Sequence, residues 1–151
     1  MVTHEENITI NRPIQEVFAY VSDFEKSTKW QSGLVEVKGI SAGPLGVGSQ
    51  FTGVRNFMGR RMEAVVKLTS FEQNKEFTYK TISGTAPFEQ SWLFETVPGG
   101  TKVSTAFEME TSGLLGLAKP LIASGLKRDM GADFATLKNQ LENQGSEAAA
   151  Q

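Results

Sequence analysis

From Leu34 to Thr111 apolar and polar side chains exchange places at nearly every step, and the alternation stops only where turn-forming residues gather. A period of two is the period of a β-strand with one buried face. Phe77, Tyr79 and Thr81 alternate with Thr78 and Lys80, and Phe88, Gln90, Trp92 and Phe94 alternate with Glu89, Ser91 and Glu95. Val103, Thr105, Phe107 and Met109 alternate in the same way with Lys102, Ser104, Glu108 and Glu110. Glycine, proline and asparagine cluster at 43–48, 58–59, 73–75, 84–87 and 98–100. These breaks divide the stretch into the strands Leu34–Ile40, Ser49–Phe57, Arg61–Phe71, Glu76–Ser83, Phe88–Val97 and Thr101–Thr111. Connections this short join antiparallel neighbours, because a parallel return takes about a dozen residues or more.

The flanks carry a different rhythm. Glu6–Ile10 reads as one more strand, stopped by Asn11-Arg12-Pro13, since Pro13 has no N–H for a ladder. Ile14, Val17, Phe18 and Val21 then recur at helical spacing and predict a short helix over Pro13–Ser22, opened by its proline. Asp23 is placed to cap a second short helix reaching Trp30. At the far end Ile122, Leu126, Met130, Phe134, Leu137 and Leu141 form a stripe at steps of three and four, which predicts one long helix over Pro120–Glu142. Residues 143–151 carry no periodicity and are expected to form a disordered tail, leaving 1–142 as a single domain. The class is α+β: seven antiparallel strands, two short helices, and a long C-terminal helix covering the apolar face.

Composition removes much chemistry. Of 151 residues none is cysteine and one is histidine, so cysteine nucleophiles, thiolate metal sites and paired-histidine motifs are excluded. His4 stands among Thr3, Glu5 and Glu6 and is expected as a solvated strand residue; no metal and no cofactor is expected. Fifteen Lys+Arg against seventeen Asp+Glu is too balanced for a nucleic-acid-coating chain, although Lys119, Lys127 and Arg128, and Arg55, Arg60 and Arg61, form small basic groups. Gly43–Gly48 lacks the Gly-Lys-Ser/Thr and the following helix of a phosphate loop, because Ser49-Gln50-Phe51 opens a strand. Glu108 and Glu110 share the wet face with Lys102 and Ser104, so they read as a solvated charge ladder. Met1–Asn7 is polar, and Lys119 and Pro120 interrupt the most apolar later segment. The expectation is a cytoplasmic monomer or homodimer with no stable membrane insertion.

This layout resembles the helix-grip fold of the START and birch-allergen-like (SRPBCC) superfamily over about Thr3–Glu142. It is most similar to the polyketide cyclase/dehydrase and lipid-transport-like family. The similarity is carried by Ile10–Pro13, by Val21-Ser22-Asp23 running to Trp30, by Gly46-Val47-Gly48-Ser49-Gln50-Phe51, and by the ending Phe134–Glu142. The resemblance implies a curved sheet clasping the long helix around a cavity for a lipid, polyketide-like or aromatic molecule. It implies a carrier or sensor first. It also leaves open a cyclase/aromatase-type enzyme with unassigned catalytic residues, or a regulatory module that contacts another protein.

The candidate ligand-binding residues are Arg55, Phe57, Met62, Tyr79, Phe88, Gln90, Trp92, Thr105, Phe107, Met109, Leu126 and Met130. Aromatic and methionine rows of this kind also fill ordinary cores. Two features favour a pocket of several hundred Å³, the usual size of a ligand site. Arg55, Tyr79, Gln90 and Thr105 interrupt the inward rows with polar groups that need partners, and Gly125 and Gly131 lie inside the covering helix. Arg55 faces inward if it shares a row with Phe51, Gly53 and Phe57; the alternative register puts Thr52, Val54 and Asn56 inside. An inward guanidinium would take a carboxylate or a polarised carbonyl of the ligand as its natural partner.

Overall fold

A computed structural model describes residues 1–41, 43–84, 86–111 and 114–150, without the side chains of 114–115 and 144–150. The strands are β1 (Val2–Ile10), β2 (Leu34–Gly39), β3 (Gln50–Phe57), β4 (Arg60–Glu72), β5 (Glu76–Gly84), β6 (Phe88–Val97) and β7 (Gly100–Met109). They form one antiparallel sheet in the order β1-β7-β6-β5-β4-β3-β2. The meander from β2 to β7 is the one the turn clusters predict. Met58 and Gly59, at φ 53° and 76°, make the tight β3–β4 turn whose doubly positive φ matches the twist of a hairpin. Register shifts at Leu34/Glu36, Val65/Val66 and Leu68/Ser70 are bulges, the device that bends and twists strands.

The inward rows are the expected ones. On β7 Thr101, Val103, Thr105, Phe107 and Met109 are buried while Glu108 and Glu110 are exposed, which keeps the two carboxylates on the wet face. Helix α1 (Ile14–Val21) buries Val17, Phe18 and Val21. A short α2 (Leu114–Leu117) precedes the long α3 (Lys119–Ala150). Helix α3 contributes buried Ile122, Leu126, Phe134, Leu137 and Leu141, the stripe that defined it.

The boundaries differ in instructive ways. β1 begins at Val2, four residues earlier than expected, because backbone pairing with β7 from Val2↔Met109 to Ile10↔Thr101 does not require an apolar inner row. His4 is therefore on the inner row with Val2, Ile8 and Ile10; its side chain is 16% exposed and Nε2 lies 3.0 Å from Glu6 Oε2, which corrects its reading as a solvated residue. The second helix is a 3₁₀ segment, Phe24–Lys29, and Asp23 forms no side-chain cap; its carboxylate lies 3.5 Å from Lys26 instead. The backbone of α3 is helical through Ala150, in a run rich in the helix formers Glu, Gln and Ala.

Candidate functional site

Between the sheet and α3 lies a cavity of about 200 Å³, smaller than the several hundred expected. Eleven of the twelve candidate residues line it: Arg55, Phe57, Met62, Tyr79, Phe88, Gln90, Trp92, Phe107, Met109, Leu126 and Met130. Thr105 is the exception and lies behind Gln90, buried to 3% exposure. Phe51, Gly53, Arg55 and Phe57 all line the cavity, so β3 takes the register that turns Arg55 inward. The cavity is smaller than expected because segments outside the sheet also fill it. Phe24 and Trp30 enter from the 3₁₀ segment and its end, and Trp30 meets Trp92 edge-on at 5.9 Å between ring centres.

The polar groups on the inward rows do not wait for a ligand. Trp92 Nε1 donates to the Tyr79 hydroxyl (3.2 Å), which donates to Gln90 Oε1 (2.8 Å). Gln90 Nε2 donates to Thr105 Oγ1 (2.9 Å), and that hydroxyl donates in turn to the Ser91 carbonyl (2.9 Å). The chain satisfies each member in turn, so the expectation that these groups need an external partner is corrected. Burial pushes the Tyr79 phenol up, with the Trp92 hydrogen bond and the Arg55 charge opposing it, which keeps it a neutral donor at physiological pH.

A second polar cluster was not anticipated. Arg55 donates to Gln31 Oε1. Asp133, on α3 and 6% exposed, accepts from both Ser32 N and Ser32 Oγ at 3.0 Å on a single oxygen, Oδ1. Burial raises the Asp133 carboxyl above its ordinary value, against the two Ser32 hydrogen bonds and the Arg55 charge, which lower it. Trp30, Gln31, Asp129 and Asp133 line the cavity but escaped the sequence reading. The signal for Asp129 and Asp133 was their four-residue spacing immediately beside Met130 and Phe134, which puts them at the margin of the apolar stripe. Trp30 and Gln31 carried no periodic signal, being the end of a 3₁₀ turn.

Gly125 leaves room on α3 for the Phe57 ring of β3. A Cβ there would lie 3.0 Å from the Phe57 ring, whereas one on Gly131 would meet nothing within 4 Å. Among the described residues no group of three or more acidic or histidine side chains could hold a metal, and no helix is long and apolar enough to cross a membrane.

The family model described as polyketide cyclase / dehydrase and lipid transport matches residues 1–142. No curated protein sequence matches the chain. Among solved structures, TTHA0849 of Thermus thermophilus is similar at a TM-score of 0.77 and 15% identity, over 93% of this chain and 95% of that one. The Zhui aromatase/cyclase of Streptomyces sp. R1128 is similar at 0.76 and 12% identity, over 94% of each chain. A START superfamily protein of Mycobacterium smegmatis is similar at 0.76 and 12% identity, over 94% and 98% respectively. Identities this low speak for the fold: a seven-stranded curled sheet gripping a long helix.

Proposed function

Since the chain belongs to the polyketide cyclase/dehydrase and lipid-transport family, we propose that it binds one small hydrophobic molecule in the cavity beneath α3, as a carrier or sensor. The observation that carries this reading is the hollow itself. The same sheet and helix close tightly at their other end, so the void belongs to specific residues and is not a general looseness. An apolar cavity of about 150 Å³ admits a benzene ring, so one of about 200 Å³ suits a ligand of roughly two fused rings or a short acyl chain. Cytoplasmic residence accords with this reading.

Both tryptophans line the cavity, so saturable quenching or a blue shift of their emission reports occupancy. The decisive experiment is mass analysis of small molecules released when the purified protein is denatured, followed by rebinding of the released compound. A stoichiometric apolar molecule that rebinds supports the reading. An empty protein whose tryptophan emission is indifferent to fatty acids and fused-ring aromatics refutes it.

A second reading, ring closure on a polycarbonyl chain, is favoured by the likeness to the Zhui aromatase/cyclase together with a cationic donor, Arg55, on the cavity wall. Arg55→Gln separates the two. A carrier keeps apolar binding, whereas an enzyme loses turnover with retained binding.

A further inference from the structure

The polar end of the cavity is incomplete in a way that specifies the head group of its ligand; this inference rests on the binding reading above. Residues 30–32 contribute the Trp30 indole N–H, the Gln31 amide that accepts from Arg55, and the Ser32 N–H and hydroxyl that hold Asp133. Trp30 is only 3% exposed, and its Nε1 is buried with no hydrogen-bond partner among the described residues. Asp133 takes both Ser32 donors on Oδ1, and Oδ2 makes no hydrogen bond to the described residues. Among those residues Arg55 makes one side-chain hydrogen bond and no ion pair within 4 Å, so it and Asp133 share the cavity wall without touching. The other acidic groups at this end are already matched, Asp129 with Arg128 and Glu63 with Arg61, both at 3.1 Å.

What remains is a carboxylate oxygen with no protein donor among the described residues, on a residue that lines a cavity whose wall also carries a guanidinium with N–H groups to spare. A carboxylate on the ligand would suit Arg55 but meet Asp133 as a like charge; an ammonium would suit Asp133 but meet Arg55. A hydroxyl can donate to Asp133 Oδ2 and accept from a cationic or indole N–H at once, with no charge brought into an apolar space.

We propose that the cavity selects an uncharged, hydroxyl-bearing head group, a phenol or alcohol on an apolar scaffold of about two rings, over the carboxylate or ammonium of the same shape. This revises the carboxylate or polarised carbonyl that Arg55 alone suggested.

The test is calorimetric titration of the full chain at pH 7 with 2-naphthol, 2-methoxynaphthalene, 2-naphthoate and 2-naphthylmethylammonium. Expected is 2-naphthol at least tenfold tighter than each of the others. The methyl ether probes the donor to Asp133, because it keeps the ring system and the acceptor oxygen and replaces the donating proton with a methyl group. Asp133→Asn should narrow the gap between naphthol and naphthoate at least fivefold by removing the like charge. The four-ligand series on the unaltered protein decides the matter even if that variant does not fold. Naphthoate or the ammonium equal to or tighter than naphthol, or an ether as tight as the naphthol, would overturn the proposal while leaving cavity binding intact. Binding of none of the four would sink the binding reading, and this one with it.

Discussion

The two ends of the sheet-and-helix sandwich are built from the same alternating rows yet close differently. At one end Phe18 of α1 drops between Phe71, Phe77 and Phe94, with edge-on ring contacts at 5.7, 5.9 and 5.0 Å, and Ile10, Val103 and Leu137 are fully buried around it. At the other end the rows carry Met62, Met109, Gln90 and Arg55, and the helix above offers Gly125, Leu126 and Met130. The first end has α1 as a third layer, while the second has only the thin edge of the 3₁₀ segment. Alternation therefore fixes which face is inside. Whether the inside is full depends on a separate element delivering rigid side chains to it.

The largest expected effect breaks the packed end. Phe18→Ala should destabilise the protein by about 3–5 kcal/mol, as for large-to-small changes in a filled core, read as a lowered urea midpoint. Met130→Ala at the rim of the void should lose under about 2 kcal/mol, because little packing surrounds it to be forfeited. Equal losses at the two sites would contradict the contrast.

Next in size is the polar chain. Tyr79→Phe removes the acceptor of Trp92 Nε1 and the donor to Gln90, and leaving a buried group unpaired costs about 1–3 kcal/mol. Chemical denaturation of the variant measures it, and a neutral outcome would mean that water replaces the phenol. Smaller again is Gly131→Ala, which meets open space and should stabilise by about 1 kcal/mol from helix propensity alone. Gly125→Ala should gain less or reverse sign, since the Phe57 ring must yield; a thermal melt of the pair distinguishes them.

The smallest effect is a slope. The carboxyl of Asp133 is raised above its ordinary value of 3.8, chiefly by burial, so the folded state holds its proton more tightly than the unfolded chain does. Its contribution to stability is complete below pH 3.8 and is lost as pH rises through the raised value. Asp133→Asn lacks this loss and keeps an acceptor for Ser32. The melting temperature of the variant minus that of the unaltered protein should therefore climb on going from below pH 3.8 toward neutrality. A flat difference would place Asp133 in water.

The rows of β5, β6 and β7 and the α3 stripe were legible in the chain because burial on one face of a regular element writes its period into the sequence. β1 was only half legible: His4 and Glu6 occupy inward positions, and two polar residues on an inner row erase the alternation without preventing the backbone ladder. Eight lining residues were recoverable because they sit on those rows, and Arg55, Phe57 and Met62 because they sit on β3 and β4 beside them. Trp30, Gln31 and Asp133 were not, since their arrangement depends on where a short 3₁₀ turn meets a helix about a hundred residues later, and contacts of that range leave no local trace. The partners of Tyr79, Gln90 and Thr105 were illegible for a related reason. Alternation shows that these groups face inward but not that neighbouring strands set them in hydrogen-bonding register.

Pairing of the first strand with the last, Ile8 with Val103 and Val2 with Met109, governs how the molecule comes into being. The meander from β2 to β7 can assemble as it leaves the ribosome, hairpin by hairpin. β1, made first, has no strand to pair with until β7 is finished, roughly a hundred residues later, and such long-range closure is slow. Until then the β1 edge, Ile10 included, travels unpaired beside a growing sheet, and a chain stalled short of Val103 presents it to whatever else is being folded nearby.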